Sequence, residues 1–416
     1  MNKLVNVKTI EDAAVRLKGV IRETPLQFSK RLSKQFGANI YIKREDLQEV
    51  RSYKIRGAYN LISLLTEREK KKGIVCASAG NHAQGVAQSC FLLKIKGVIF
   101  MPSITPLQKI SRVKHFGDGW IEIKLVGNTF DETNLAAKKF CQKQNSVFVP
   151  PFDDERIICG QGTVGKEIFD LLEEEINFVF CPIGGGGLVS GLGTYLKSKN
   201  KKIKIIGVEP KGAPAMYEAL KSNKVVTLSK INTFVDGAAV KTVGYKTFDI
   251  TKDLIDEMVL VDEGKVCTTM IELYQSDGIV AEPAGALSVS ALDDLAKKIK
   301  GKTVVCILSG GNNDILRYPE IMEKSLVFKG LKHYFLIEFT QKPGQLRKLV
   351  DKVLGPTDDI VRFEYIKKSS KETGPALVGI ELTKKDDIKP LLKKMVNFEL
   401  KFTKITSDDP LYSYLI

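Results

Sequence analysis

The amino-acid sequence predicts an α/β fold for residues 1–328 and a smaller α+β domain for residues 329–416. Two observations support this division. Between about residues 35 and 316, short apolar runs alternate with amphipathic stretches, a pattern typical of parallel strands joined by crossover helices. After residue 328, strands with alternating apolar residues replace the fully apolar runs.

Six apolar runs in the first region are short enough to be buried strands. They are Gly73–Ala77, Gly97–Met101, Ser146–Val149, Phe178–Ile183, Ile203–Val208 and Thr303–Leu308. Three of them lead directly into glycine-bearing loops at 77–82, 184–188 and 309–313. Because ligands of open α/β sheets bind at the carboxyl ends of strands, these loops predict one composite site.

The second region shows two periodicities in the order βαββαβ, which predicts a ferredoxin-like domain. Its predicted strands cover 335–339, 361–365, 378–382 and 401–406, and its predicted helices cover 346–353 and 388–395. Its length is within the normal range for an independent domain.

The composition excludes several classes of protein. A hydrophobic content of 43% with 27% charged residues is typical of a soluble globular chain. No apolar run approaches the roughly 18 residues of a membrane span, so we expect no membrane partner. Glu11 and Asp12 interrupt the segment where a signal peptide would need its apolar region. Three histidines leave little room for a histidine-rich metal site, and we expect no metal.

The net charge of +15 raises the question of nucleic-acid binding. The positive charge is spread over both regions of the chain, whereas nucleic-acid-binding proteins usually concentrate it on one stripe. A lysine-rich solvated surface is therefore favoured, and we expect no nucleic-acid partner. Seven cysteines without CxxC spacing fit neither a disulfide framework nor a zinc site, which favours a reducing compartment, the cytoplasm.

The glycine loop Gly184–Gly187 is the sharpest single signal in the sequence. Four successive glycines let backbone N–H groups converge, and the predicted helix 188–196 directs its positive dipole end at them. This arrangement predicts a phosphate site. The loop lacks the GK[ST] of a P-loop, which excludes that kind of nucleotide site. A loose dinucleotide fingerprint ending at Ser190, with Glu209 after the next strand, and a simple tight turn are the alternatives.

Six motifs occur together in a characteristic order. They are SYKIRGA at 52–58, SAGNHAQG at 78–85, GQGT at 160–163, GGGGL at 184–188, AEPAGA at 281–286 and SGGNND at 309–314. On these motifs the chain resembles the threonine dehydratases among the fold type II pyridoxal-phosphate enzymes. The C-terminal region, with FTQKPGQLR at 339–347, is similar to the single ACT-like regulatory domain of their short biosynthetic form.

The resemblance implies a catalytic region with two open twisted sheets and a smaller subdomain at about 50–155. It also implies pyridoxal 5′-phosphate as cofactor, with Lys54 as the Schiff-base lysine and proton acceptor. Spacing alone would not single out Lys54. The other implied cofactor-binding residues are Asn81 at the ring hydroxyl, Gly184, Gly185, Gly186, Gly187 and Leu188 at the phosphate, and Ser309 at the pyridine nitrogen. The implied substrate-binding residues are Ser78, Ala79, Gly80, Asn81 and His82.

Four acidic and imidazole side chains keep open roles. His82 is more simply explained by packing under its loop than by acid–base work. Glu282 lies beside the cofactor or starts a helix, with equal support for both. Glu209 and Asp236 are candidates for a cation site of the kind that related enzymes possess.

The activity that the resemblance implies is that of a lyase, threonine ammonia-lyase, which converts L-threonine to 2-oxobutanoate and ammonia at the start of isoleucine biosynthesis. Isoleucine is the expected inhibitor, valine a candidate opposing effector, and a homotetramer the expected assembly. The tail at 408–416 favours the biosynthetic over the catabolic form. Serine dehydratase, serine racemase and β-replacement enzymes are alternatives on the same scaffold, and an amino-acid sensor or a basic nucleic-acid-binding protein are the non-enzymatic alternatives.

Overall fold

The computed structural model describes residues 4–365, 372–406 and 409–415. The chain divides into two compact units, residues 1–313 and 314–416. The predicted boundary between residues 328 and 329 stays a prediction. It falls within the helix Tyr318–Lys329, which belongs to the second unit. Parts of the predicted C-terminal domain and of its tail, residues 366–371, 407–408 and 416, lie outside the described residues.

The first unit contains two open sheets. Its strands are β1 (Leu26–Phe28), β2 (Asn39–Arg44), β3 (Ile74–Ala77), β4 (Gly97–Met101), β5 (Ile121–Leu125), β6 (Val147–Phe148), β7 (Phe178–Pro182), β8 (Lys204–Pro210), β9 (Glu257–Val261) and β10 (Thr303–Leu308). The larger sheet has the order β1-β2-β10-β7-β8-β9 and the smaller has the order β5-β4-β3-β6. All pairs are parallel except β1 with β2. The predicted α/β class with two open sheets is confirmed.

Every apolar run that the sequence analysis named overlaps a strand, whereas strands β1, β2, β5 and β9 were not among those runs. Three of these four lie at a sheet edge, β1 and β9 in the larger sheet and β5 in the smaller. An edge strand is covered less completely than a central one, so its sequence keeps polar residues, as in the IEIKL of β5.

Helices join and cover the strands of the first unit. They are α1 (Val7–Leu17), α2 (Lys30–Phe36), α3 (Lys54–Ser63), α4 (Glu67–Lys72), α5 (Asn81–Leu93), α6 (Leu107–Gly117), α7 (Phe130–Gln144), α8 (Glu155–Leu171), α9 (Gly187–Lys199), α10 (Ala215–Ser222), α11 (Tyr245–Thr251), α12 (Glu263–Asp277), α13 (Pro283–Ser290) and α14 (Ala296–Ile299). Helices α8 and α9 approach closely at Gly191. A Cβ on this residue would lie 2.2 Å from the Ile158 carbonyl oxygen, so only glycine allows the approach. This contact fixes the helix that follows the glycine loop.

The second unit begins with α15 (Tyr318–Lys329) and contains one antiparallel sheet. The remaining elements are β11 (Lys332–Thr340), α16 (Gln345–Lys348), which continues as a π-helical turn over Leu349–Val353, β12 (Asp359–Tyr365), β13 (Thr373–Glu381), α17 (Ile388–Asn397), β14 (Lys401–Ile405) and α18 (Tyr412–Leu415). The strand order β12-β13-β11-β14 confirms the predicted βαββαβ arrangement. Its core forms where the sheet meets the helices, around Phe335, Val378 and Leu391.

In the part of the chain that the structure describes, no helix combines the length and the apolar character needed to cross a membrane.

Candidate active site

A cleft in the first unit collects one residue from each of the three predicted glycine loops. Asn81 follows β3, Gly184 follows β7 and Ser309 follows β10, and all three line the same cleft as Lys54. Its other lining residues are Tyr53, Pro182, Gly237, Ala238, Glu282 and Ala284. The cleft therefore takes residues from the ends of strands in both sheets, since β3 belongs to the smaller sheet and β7 and β10 to the larger.

Lys54 is the first residue of α3, and the backbone before it is tied to the larger sheet. The Tyr53 N–H donates to the Ser309 carbonyl at 3.2 Å. The Lys54 Nζ donates to the carbonyl oxygen of Pro151 at 3.2 Å. Burial lowers the pKa of Lys54 to about 8, although the charge of Glu282 acts in the opposite direction. A lysine in this state loses its proton near neutral pH and becomes a nucleophile.

The glycine loop has a conformation and a packing that side chains would disturb. Gly186 has φ +93°, in the left-handed region. A Cβ on Gly185 would lie 2.2 Å from the Phe152 ring. Helix α9 starts at Gly187, and the first N–H groups of a helix have no acceptor within it. The loop and the helix end together present backbone N–H groups, with Leu188 in the first turn, and the phosphate site there stays a prediction.

The segment Ser78–His82 connects β3 to α5. Two of its N–H groups are already used, since Ser78 N–H donates to the Phe100 carbonyl at 3.0 Å and Gly80 N–H donates to the Ser78 Oγ at 3.2 Å. Ala79 packs against the core of the smaller sheet. Substrate recognition through this segment, which stays a prediction, would depend on the N–H groups of its other residues.

His82 is buried, and its Nε2 lies 3.0 Å from the Val149 carbonyl oxygen. Burial, together with the positive charge of Lys54, lowers the pKa of His82 to about 3. The imidazole is therefore neutral over the physiological range and donates to a backbone carbonyl. This environment supports a packing role.

Ser309 and Asn312 come from the loop after β10. Ser309 is buried and its hydroxyl donates to the Ala284 carbonyl at 3.2 Å. The Asn312 Nδ2 donates to the Asn81 Oδ1 at 2.7 Å and to the Val50 carbonyl at 2.8 Å. This loop thus holds the Asn81 side chain as well as lining the cleft.

Glu282 and Asn312 are the residues whose place the sequence did not establish. Both lie in quoted motifs, AEPAGA and SGGNND, but only the tertiary structure brings them to Asn81. The Glu282 carboxylate accepts from the Asn81 Nδ2 at 2.6 Å. Burial and the negative charge of Asp236 raise the pKa of Glu282 to about 7.

Glu209 and Asp236, the candidates for a cation site, contact different partners. Glu209 accepts from the N–H groups of Met216 and Tyr217, both at 2.8 Å, and Asp236 pairs with Lys109 at 2.7 Å. Within residues 4–365, 372–406 and 409–415, no group of three or more histidine, cysteine or acidic side chains is arranged to hold a metal ion.

The cleft fits a cofactor that carries an aldehyde and a phosphate. The desolvated amine of Lys54, whose pKa burial lowers, would supply the nucleophile for the aldehyde. The loop at 184–187, where a Cβ would strike Phe152, supplies a close backbone approach for the phosphate.

Comparisons with known proteins agree with this chemistry. A family model described as "Pyridoxal-phosphate dependent enzyme" matches residues 17–310, and one described as "C-terminal regulatory domain of Threonine dehydratase" matches residues 323–415. The "L-threonine dehydratase biosynthetic IlvA" of Bacillus subtilis (strain 168) is 52% identical over 415 residues, which cover 100% of this chain and 98% of the relative.

Solved structures show the same likeness in the larger part of the chain. The processed form of threonine deaminase isoform 2 from Solanum lycopersicum is 40% identical, with a TM-score of 0.74 over 77% of this chain and 88% of that one. Serine racemase from Dictyostelium discoideum is 31% identical, with a TM-score of 0.70 over 75% of this chain and 100% of that one. With a family match over most of its length and a 52% identical full-length relative, this chain belongs to the pyridoxal-phosphate-dependent enzymes, within the family of biosynthetic threonine dehydratases.

Proposed function

We propose that this chain is a threonine ammonia-lyase that converts L-threonine to 2-oxobutanoate and ammonia, the first step of isoleucine biosynthesis. The observation that carries the proposal is the desolvated amine of Lys54 in a cleft that also holds Gly184, Asn81 and Ser309. The full-length likeness to biosynthetic threonine dehydratases supports threonine as the substrate.

Lys54 holds the cofactor and takes the proton from the substrate Cα. Its pKa of about 8 lets the free amine accept that proton near neutral pH, because burial disfavours the ammonium form. Bound pyridoxal phosphate supplies the electron sink that stabilises negative charge at Cα. The Pro151 carbonyl, which accepts from the Lys54 Nζ, keeps the amine within the cleft.

Backbone N–H groups bind the two anionic groups. Those of Gly184, Gly185, Gly186, Gly187 and Leu188 hold the cofactor phosphate. The substrate carboxylate lies at the segment Ser78–His82, where the N–H groups of Ala79, Asn81 and His82 are the candidate donors, since those of Ser78 and Gly80 are used within the protein. Both sites place an anion at the start of a helix, α9 or α5.

Asn81 and Ser309 set the electronic environment of the cofactor ring. One N–H of the Asn81 amide is available for the ring hydroxyl oxygen, since the other donates to Glu282. Ser309 would face the pyridine nitrogen of the bound cofactor. A neutral hydroxyl there would not hold a proton on the nitrogen as an aspartate would, so the bound cofactor would withdraw less negative charge from Cα, which favours loss of the β-hydroxyl over competing reactions.

The second unit is proposed to carry feedback control. We assign the ACT-like regulatory domain to residues 329–416, isoleucine as its inhibitor, valine as the opposing effector, and a homotetramer as the assembly. The antiparallel βαββαβ sheet and the family match over residues 323–415 support a regulatory role. Seven free, buried cysteines support a cytoplasmic location.

The test is replacement of Lys54 by alanine, with Lys298→Ala as a control at an exposed lysine. Borohydride treatment of the wild-type protein should fix the cofactor on Lys54, located by peptide mass spectrometry. Lys54→Ala should lose both the cofactor's visible absorbance and ammonia release from threonine, and Lys298→Ala should keep both. Retained turnover in Lys54→Ala, or cofactor fixed on another lysine, would reject the assignment.

A substrate panel separates the alternatives. Threonine should give 2-oxobutanoate faster than serine gives pyruvate, and L-serine should not be converted to D-serine. Racemisation as the main reaction would favour the racemase alternative. The 31% identity to the serine racemase from Dictyostelium discoideum is the reason to test it.

A further inference from the structure

Glu282 directly precedes α13, and its side chain does not cap the helix. A side chain at this position can accept an N–H from the first turn of the helix, as serine, threonine, aspartate and asparagine often do. The Glu282 side chain makes no such bond. It accepts instead from the Asn81 Nδ2 at 2.6 Å and from the backbone N–H of Asn312. A structural helix-start role therefore does not explain where this carboxyl lies.

The Glu282 contact determines the orientation of the Asn81 amide. A carboxylate only accepts hydrogen bonds, so Asn81 must turn its Nδ2 toward Glu282. The Asn312 Nδ2 completes the arrangement by donating to the Asn81 Oδ1 at 2.7 Å. The Val50 carbonyl holds Asn312 in turn. The amide is thus gripped at both ends, and one of its N–H groups is left for a ligand in the cleft.

Glu282 also carries charge within the cleft. It is 5% exposed, and a Cβ on Gly310 would lie 2.4 Å from its Oε1, so the backbone is shaped around the carboxyl. The titratable and charged groups that face it are Asp236, Lys109, Lys54, Tyr53 and Arg112. Its negative charge raises the pKa of Lys54 against the effect of burial.

We propose that Glu282 is a positioning residue for the cofactor cleft: its carboxylate holds the Asn81 amide in the orientation that a ligand needs and supplies the negative charge that faces the Lys54 nitrogen. The proposal rests on the proposed function only through the assignment of Lys54 and Asn81. The pKa of Glu282 is raised to about 7, so the carboxyl carries its negative charge, and only accepts hydrogen bonds, above neutral pH.

The experiment compares Glu282→Gln with Glu209→Gln in the holoenzyme. Glu209 is the matched control, a buried carboxyl whose pKa burial raises to about 8 and which does not line the cleft. We expect Glu282→Gln to move the pH midpoint of the bound cofactor's absorbance down by about 1 unit, because a proton on the Lys54 nitrogen loses an opposing charge. Glu209→Gln should keep the wild-type midpoint.

A second measurement tests the hold on Asn81. Glu282→Ala should raise the dissociation constant of pyridoxal phosphate about 10-fold, because the Asn81 amide loses its acceptor. In an Asn81→Ala background the same change should have a much smaller effect. If Glu282→Ala does not fold, the pH midpoint of the isosteric Glu282→Gln still tests the proposal.

An unchanged midpoint in Glu282→Gln, no pH transition in either protein, or an equal shift in Glu209→Gln would overturn the inference. Failure of the proposed function gives a different result, because borohydride would then fix the cofactor on a lysine other than Lys54.

Discussion

Arg56 donates to both oxygens of Glu45 in the interior of the first unit, Nε to Oε2 at 2.8 Å and Nη2 to Oε1 at 2.7 Å. Both side chains are 0% exposed. The guanidinium also donates to Glu167, which accepts from the ammonium of Lys43 as well. The positive charges of Arg56 and Lys43 therefore balance the negative charges of Glu45 and Glu167. Arg56 lies on α3, two residues after Lys54.

Removing Arg56 should destabilise the first unit severely. Arg56→Met leaves Glu45 and Glu167 without their main partner, and breaking a buried ion pair on one side costs about 3–5 kcal/mol. The fluorescence of Trp120, the single tryptophan, reports urea unfolding of this unit, because the indole packs against the core of the smaller sheet. Lys298→Met, which removes an exposed partner of Glu257, is the control and should unfold with the wild type. Equal midpoints for Arg56→Met and wild type would show that the cluster contributes little.

The neutral, buried His82 should make the protein less stable in acid. Its folded pKa of about 3 lies below the ordinary value of 6.5, so the unfolded state binds a proton that the folded state rejects. This contribution is present above pH 6.5 and is lost as the pH falls from 6.5 toward 3, by about 1.4 kcal/mol per pH unit.

The variant His82→Gln tests this expectation, because glutamine can still donate to the Val149 carbonyl but does not titrate. Urea unfolding at about pH 5 and about pH 7, followed by Trp120, should show a smaller loss for the variant than for wild type. His333 is present in both proteins, so its contribution to the pH dependence of unfolding cancels in the comparison. Parallel losses would mean that His82 is protonated in the folded state.

A side chain at Gly185 should weaken cofactor binding. The new Cβ of Gly185→Ala would lie 2.2 Å from the Phe152 ring, and overpacking of this kind costs about 1–3 kcal/mol, so the dissociation constant of pyridoxal phosphate should rise about 10-fold or more. Equilibrium dialysis measures it.

Gly193→Ala is the control, in the helix α9 that follows the loop, because its Cβ would approach only the Leu254 side chain, no closer than 3.2 Å. Adding Phe152→Ala to Gly185→Ala should restore part of the affinity. If Gly185→Ala binds the cofactor like wild type, the loop does not form the phosphate site.

Removal of the regulatory domain should abolish inhibition by isoleucine while threonine turnover continues. Two end points are needed, residue 328 and residue 313. Helix α15 packs within the second unit, where Glu323 accepts from the Tyr334 hydroxyl at 2.6 Å and pairs with Lys332, so a cut at 328 leaves α15 without these partners. Undiminished inhibition in an active truncated enzyme would contradict the regulatory assignment.

Much of the site was visible in local sequence. The glycines at 184–187 stand directly after an apolar run, so the loop and its helix could be predicted from adjacent residues. Glu282 could not be placed in the same way, because its partner Asn81 is 201 residues away along the chain. The edge strand β5 was not predicted for a different reason, because its polar residues interrupt the apolar run.

The sequence by itself determined the α/β and βαββαβ organisation, the glycine loop with its helix and, through ordered motifs, the family. These depend on periodicity and on runs of neighbouring residues. Only the tertiary structure decided the state of individual groups: the lowered pKa of Lys54, the neutral His82, and the grip of Glu282 and Asn312 on Asn81. Burial and charge act through space, so the same residue types acquire these properties only where the folded chain removes water and brings distant partners within hydrogen-bonding distance.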